Sequence, residues 1–252
     1  MKKFVALTAL LALAAGASAR PLVDTRVDTT PGNTIGTYNY TGAGAGFGGR
    51  LGTATFSMDS DSTNLYVSIT PGSFDNNVVI MLDTRAGGFR DADMRDRADG
   101  GRRAVSELSL ETNDAFDSGF LPDFGLVMAG FGGVLFELNA GTTDGHLNFV
   151  SFDGAGQLNY TIPLATLGVA PGGNVDFFVG LVSDSGYLSN ESIPVNPALQ
   201  ANGNPGFGDG QFGGTVGSPG FANFNRFTTV PTPGSIALVG LAGLAGLRRR
   251  RA

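Results

Sequence analysis

Between residues 20 and 230 the apolar, β-branched and aromatic residues come in short runs. Each run is cut by Gly, Asn or Asp before a helix could complete three turns. Glycine alone supplies 40 of the 252 residues, which is why the cuts come so often. A chain punctuated this way builds strands and tight turns. Residues 65–70 (LYVSIT) alternate, with Leu65, Val67 and Ile69 on one face and Ser68 and Thr70 on the other. Residues 78–82 (VVIML) are apolar without a break, the pattern of a central strand covered on both faces. Residues 175–182 (VDFFVGLV) are nearly so. Further strands are expected over 54–58, 105–110, 124–129, 134–138, 147–152, 158–162 and 224–230. Helical periodicity is nearly absent from this span, and residues 163–167 have room for one short turn. The expectation is an all-β domain, an antiparallel β-sandwich or jelly roll. A β-helix is the alternative, but no fixed-period repeat supports it.

The two ends follow different rules. Lys2 and Lys3 precede an apolar stretch over residues 4–15, and Ala17-Ser18-Ala19 supplies small residues where a signal peptidase reads. This is the pattern of a secretory signal peptide cleaved after Ala19, so residues 1–19 are set aside from the fold. At the other end, Pro231-Thr232-Pro233 leads into a fourteen-residue apolar run from Gly234 to Leu247, broken only by Ser235, then Arg248, Arg249, Arg250 and Arg251. A stable bilayer span needs about 20 apolar residues. The run is therefore a marginal, transient inner-membrane anchor, with its arginines kept on the cytoplasmic side. An ordinary membrane tail, holding a periplasmic domain, is the competing reading.

Removing both ends leaves residues 20–230, enough for one domain with a sizeable core. Residues 201–220, rich in Gly, Asn and Pro, read as a loop or spacer within it. Of 16 basic residues, two lysines fall in the first segment and four arginines in the last. Ten arginines then face 22 acids in the body, a formal charge near −12. Nucleic acid is a poor partner for such a surface and is not expected. The chain has no cysteine, so an exported body has neither a disulfide framework nor a thiol nucleophile.

The order Pro-Thr-Pro, short apolar run and arginine cluster resembles the PEP-CTERM sorting signal of Gram-negative bacteria. Thr232 stands where that family has glutamate. The resemblance implies processing by an exosortase-like enzyme and delivery to the cell surface or medium, often beside exopolysaccharide. Three stretches of the body resemble a secreted β-sandwich superfamily, the family-nine carbohydrate-binding and DOMON-like domains. They are NLYVSITPGSFDNNVVIMLDT (64–84), FDSGFLPDFGLVM (116–128) and IPLATLGVAPGGNVDFFVGLVSDSGYLSNESIP (162–194). That resemblance implies sugar or ligand binding on a sandwich. With no tryptophan in the chain, Tyr and Phe are left to stack on a sugar, and Tyr66, Tyr160 and Tyr187 are the candidates.

The most charged stretch, LDTRAGGFRDADMRDRADGGRR (82–103), sets Asp83, Asp91, Asp93, Asp96 and Asp99 among six arginines. Asp83, Asp91 and Asp93 are candidate calcium ligands by type, but their spacing is not that of an EF-hand loop. The arginines compete for the same carboxylates through paired hydrogen bonds, which gives a solvated loop laced with ion pairs. Asp117 and Asp123 flank a Gly119-Phe120 turn and are expected to shape it, with approach to the same rim as Asp83 as the alternative. The GAGAGFGG run over residues 42–49 lacks the helix and lysine of a phosphate loop and reads as a loop or strand edge. Glu107, Glu111 and Glu137 fall on expected strands, and the single His146 has no nucleophile elbow beside it. No catalytic residue stands out. The sequence points to a non-catalytic binding or structural component of the envelope or extracellular matrix. A secreted glycosidase-type enzyme is the alternative.

Overall fold

The computed structural model describes residues 36–42, 50–70, 76–89, 96, 98–109, 120–130, 132–138, 147–153, 159–197, 200, 206–207 and 224–231. The strands are β1 (Gly36–Asn39), β2 (Thr55–Ser60), β3 (Asn64–Thr70), β4 (Asn77–Asp83), β5 (Phe124–Ala129), β6 (Gly132–Leu138), β7 (Leu147–Asp153), β8 (Asn159–Pro163), β9 (Asn174–Val182), β10 (Tyr187–Ile193), β11 (Gly206–Phe207) and β12 (Asn225–Thr228). The helices are α1 (Arg50–Thr53), α2 (Gly100–Ser109) and α3 (Leu164–Leu167).

The strands form an antiparallel β-sandwich. The smaller sheet has the order β1-β2-β3-β8, and the larger has β11-β10-β9-β4-β5-β6-β7. One edge of β9 is shared, because Asn174–Phe177 pair with β12 while Val179–Val182 pair with β10. Between the sheets lies a core built from alternate residues. Val67 and Ile69 of β3, Val78, Ile80 and Leu82 of β4, and Val175, Phe177 and Val179 of β9 all point into it. Tyr38 closes edge-on against Phe177 at 4.7 Å, and Phe56 lies 5.4 Å from the same ring.

A second core covers the outer face of the larger sheet, which accounts for the unbroken apolar runs of β4 and β9. Val79 and Met81 of β4, Val127 of β5, Phe136 of β6 and Phe178 of β9 pack there against Phe89, Phe120, Ala104 and Val105. Ala104 and Val105 belong to α2, where the sequence predicts a strand over 105–110. Asp99 caps that helix by accepting the Arg102 N–H at 2.8 Å, and the following turn closes with Arg103 N–H to the Asp99 carbonyl. With the cap in place, Gly101, Ala104 and Val105 fall three and four residues apart and share a stripe, so the tertiary surface overrides the apparent alternation. Gly125 admits the helix: a Cβ there would stand 2.8 Å from a Val105 methyl. At α3, Gly168 with φ of 70° ends the single turn expected over 163–167 and starts the path into β9.

The remaining expected strands stand close to where the sequence places them. Strands β1 and β10 are additions. Of the glycine-rich 201–220 stretch only Gly206–Phe207 are described, and they form a two-residue strand on the β10 edge. The stretch after residue 41 does run into a helix, α1, although of one turn only.

Candidate functional site

Asp83 stands at the end of β4, as expected, paired across the sheet with Asp176 of β9. Its Oδ2 accepts the Leu121 N–H at 2.9 Å. Burial, and then the neighbouring charges of Asp123 and Asp176, push its carboxyl up to about 6 against the pull of that N–H. Both neighbours are occupied. Asp123 is buried, and its Oδ2 accepts the Thr84 and Arg85 N–H groups at 2.8 Å each and the Thr84 hydroxyl at 3.2 Å. It ties the exit of β4 to the entry of β5, the turn-shaping role its sequence context suggests. Asp176 is held by both ends of the Arg226 guanidinium at 2.6 and 2.7 Å. Arg85 bridges Glu137 at 2.9 Å and lies 4.8 Å over the Phe124 ring.

The arginines do claim carboxylates where the charged stretch is described. Arg102 meets Asp96 at 2.8 Å and Asp99 at 3.0 Å, donates to the Leu147 carbonyl, and lies 5.2 Å over the Phe136 ring. Among the described residues no group of three Asp, Glu or His side chains is placed to hold a metal. Asp91 and Asp93 lie outside the described residues, so only Asp83 of the three candidate ligands is located. Also outside them are Ala17, Ala19, Asp117, Glu111, His146, Thr232, Pro233 and Arg248 to Arg251. Glu107 is on α2, not on a strand.

Glu191 was not singled out by the sequence. It is fully buried on β10, and its Oε2 accepts the Leu51 N–H of α1 at 3.1 Å. Burial raises its pKa, and its Oε1 has no hydrogen-bond partner. The start of α1 is thus satisfied from inside the protein, not left for a phosphate.

The tyrosines expected to carry a sugar are mostly used for packing. Tyr66 is buried and donates to Asp61 Oδ2 at 2.6 Å. Tyr160 is buried in the inner core, with its hydroxyl 2.9 Å from Ser151 Oγ. Tyr187 is half-buried at the start of β10, its N–H donating to Ser183 Oγ at 2.9 Å. Among the described residues the large exposed aromatics are instead Phe149 and Phe152 on β7, 59% and 54% accessible.

They share a face because β7 is bulged. Phe149 pairs with Phe136, but Ser151 pairs with Leu135, so Val150 is an extra residue. In an unbroken strand residues 149 and 152 would point to opposite faces. Here both stand on the side of Phe136 and Val134, the outer face of the larger sheet. Phe149, Phe136, Val134, Arg102, Gly100 and Gly101 line a cleft of about 360 Å³ with the exposed carboxylate of Asp99 at its rim. The cleft offers an apolar wall, an aromatic face and one acid acceptor. The signal in the sequence was the pair Phe149 and Phe152 in a strand with polar neighbours, but the bulge that unites them is a property of the β6 pairing. Comparisons with family models, curated proteins and solved structures find no match to this chain.

Proposed function

We propose that this chain is an exported, surface-sorted, non-catalytic protein that binds extracellular polysaccharide through the outer face of its larger sheet. The observation that carries the reading is Phe149, more than half exposed beside an apolar cleft on an otherwise packed sandwich. A pyranose presents C–H groups on one side and hydroxyls at its edge. An aromatic wall with a carboxylate at the rim complements that arrangement. The net acidity of residues 20–230 favours a neutral polymer over an anionic one. The export signal and the PEP-CTERM-like tail support delivery to the surface that carries such polymers, with signal peptidase and an exosortase-like enzyme as processing partners. Calcium at the 82–103 loop stays a proposal that turns on Asp91 and Asp93.

The test is retention of residues 20–231, which contain every described element, on a panel of immobilised neutral polysaccharides. Retention lost with Phe149→Ala supports the reading. Absence of retention on every polymer favours a purely structural matrix role. Polymer turnover abolished by replacing one carboxylate would favour the enzyme alternative.

A further inference from the structure

The last strand leaves the body almost no slack before the tail. Phe227 is buried in the inner core, and Thr229 is buried with its N–H on the Gly173 carbonyl at 2.9 Å. The Val230 N–H donates to Ser60 Oγ at 2.8 Å, and Pro231 lies against Gly172. Chain order therefore persists to the first residue of the Pro-Thr-Pro motif. From Pro231 to Gly234, where the apolar run begins, three peptide units reach at most about 10 Å. The headgroup layer on one side of a bilayer takes up roughly 6 Å of that.

We infer that, while the tail is intact, the sandwich stands on the membrane with one defined end against the lipid headgroups. This rests on reading residues 231–252 as a membrane-inserted sorting tail. The end in question carries the α3–β9 connection, with Ala170, Pro171 and Gly172 exposed, and the β2–β3 turn at Ser62 and Thr63. These residues are uncharged. Behind them, among the described residues, Asp61, Asp83, Asp123, Asp176 and Glu137 outnumber Arg85 and Arg226, a balance that gives anionic headgroups no attraction to this end. The contact is imposed by the short tether, not by affinity. The β9–β10 turn at Ser185 faces the opposite way, a nine-residue strand of about 30 Å distant.

The absence of cysteine makes the test direct. Residues 20–252 carrying a single fluorophore at Ala170→Cys, Ser185→Cys or Ala242→Cys are reconstituted into phosphatidylethanolamine–phosphatidylglycerol vesicles containing headgroup- or acyl-chain-nitroxide lipid. The expected result is acyl-chain quenching at Ala242→Cys and headgroup quenching several-fold stronger at Ala170→Cys than at Ser185→Cys. A Gly/Ser insert of about eight residues after Val230, with a mean reach of roughly 16 Å, should remove most of the Ala170→Cys signal. Equal headgroup quenching at both ends with Ala242→Cys in the acyl region overturns the placement alone. Quenching that survives the insert overturns the tether argument. An unquenched Ala242→Cys overturns the tail reading and the placement with it.

Discussion

The two faces of the larger sheet are both apolar, yet they are covered in different ways. The inner face meets a second sheet, and alternate residues from both sheets interdigitate around Phe56 and Phe177. The outer face is covered piecemeal, by α2 over Gly125 and by Phe89, Phe120 and Phe224 from loops, with Phe120 and Phe224 stacked at 5.5 Å. Among the described residues that cover thins along β6 and β7, where Leu147 is still buried but Val134 is half-buried and Phe149 and Phe152 are open. A sheet-on-sheet face leaves no room for a ligand, whereas a patchwork cover ends at a border where apolar surface meets solvent. The candidate site lies on that border.

The largest effect should come from the inner face. Phe177→Ala removes a fully buried ring contacting Tyr38 and Phe56 and should cost about 3–5 kcal/mol in chemical denaturation. Gly125→Leu acts on the outer cover. It drives a side chain into Val105 and should cost about 1–3 kcal/mol, with faster hydrogen exchange in α2 before the strands. Strands opening together with α2 would mean that the outer cover is no weaker than the inner.

Asp123→Ala leaves the Thr84 and Arg85 N–H groups without their acceptor and should cost about 2 kcal/mol. Asp83 gives a pH effect. Its carboxyl is raised to about 6 in the fold, so between roughly pH 4 and 6 the folded state holds more protons than the unfolded one. Its contribution therefore becomes more favourable as pH falls through 6, and the charged form is a burden above it. Asp83→Asn should raise the melting temperature at pH 8 and have little effect near pH 4. The gain is of order 1 kcal/mol after discounting for partial exposure. A gain at pH 4 equal to that at pH 8 would remove the burial argument.

Strand alternation was readable wherever one face is buried and the other is not, as along Leu65, Val67 and Ile69, and unbroken apolar runs marked β4 and β9 as central. What covers the outer side was not readable, because residues 105–110 alternate like a strand and the Asp99 cap acts only once the helix has a surface to lie on. Strand β10 was missed for another reason. Its Ser189, Asn190, Glu191 and Ser192 look like a solvated loop, yet they are buried, with Glu191 held by the Leu51 N–H of α1. The site was half legible. Phe149 and Phe152 stand out by composition, but their common face depends on one extra residue, Val150, in a pairing that no local pattern announces.

The smallest stability effect belongs to the residue on which the proposed binding depends most. Phe149→Ala removes an exposed ring and should leave stability within about 0.5 kcal/mol of the parent. The most direct measurement is therefore the affinity of the Phe149→Ala and parent bodies for a neutral polysaccharide, beside their denaturation midpoints. The account predicts unchanged midpoints and at least a tenfold loss of affinity, about 1.4 kcal/mol. Equal affinity for the two proteins at equal stability would contradict it.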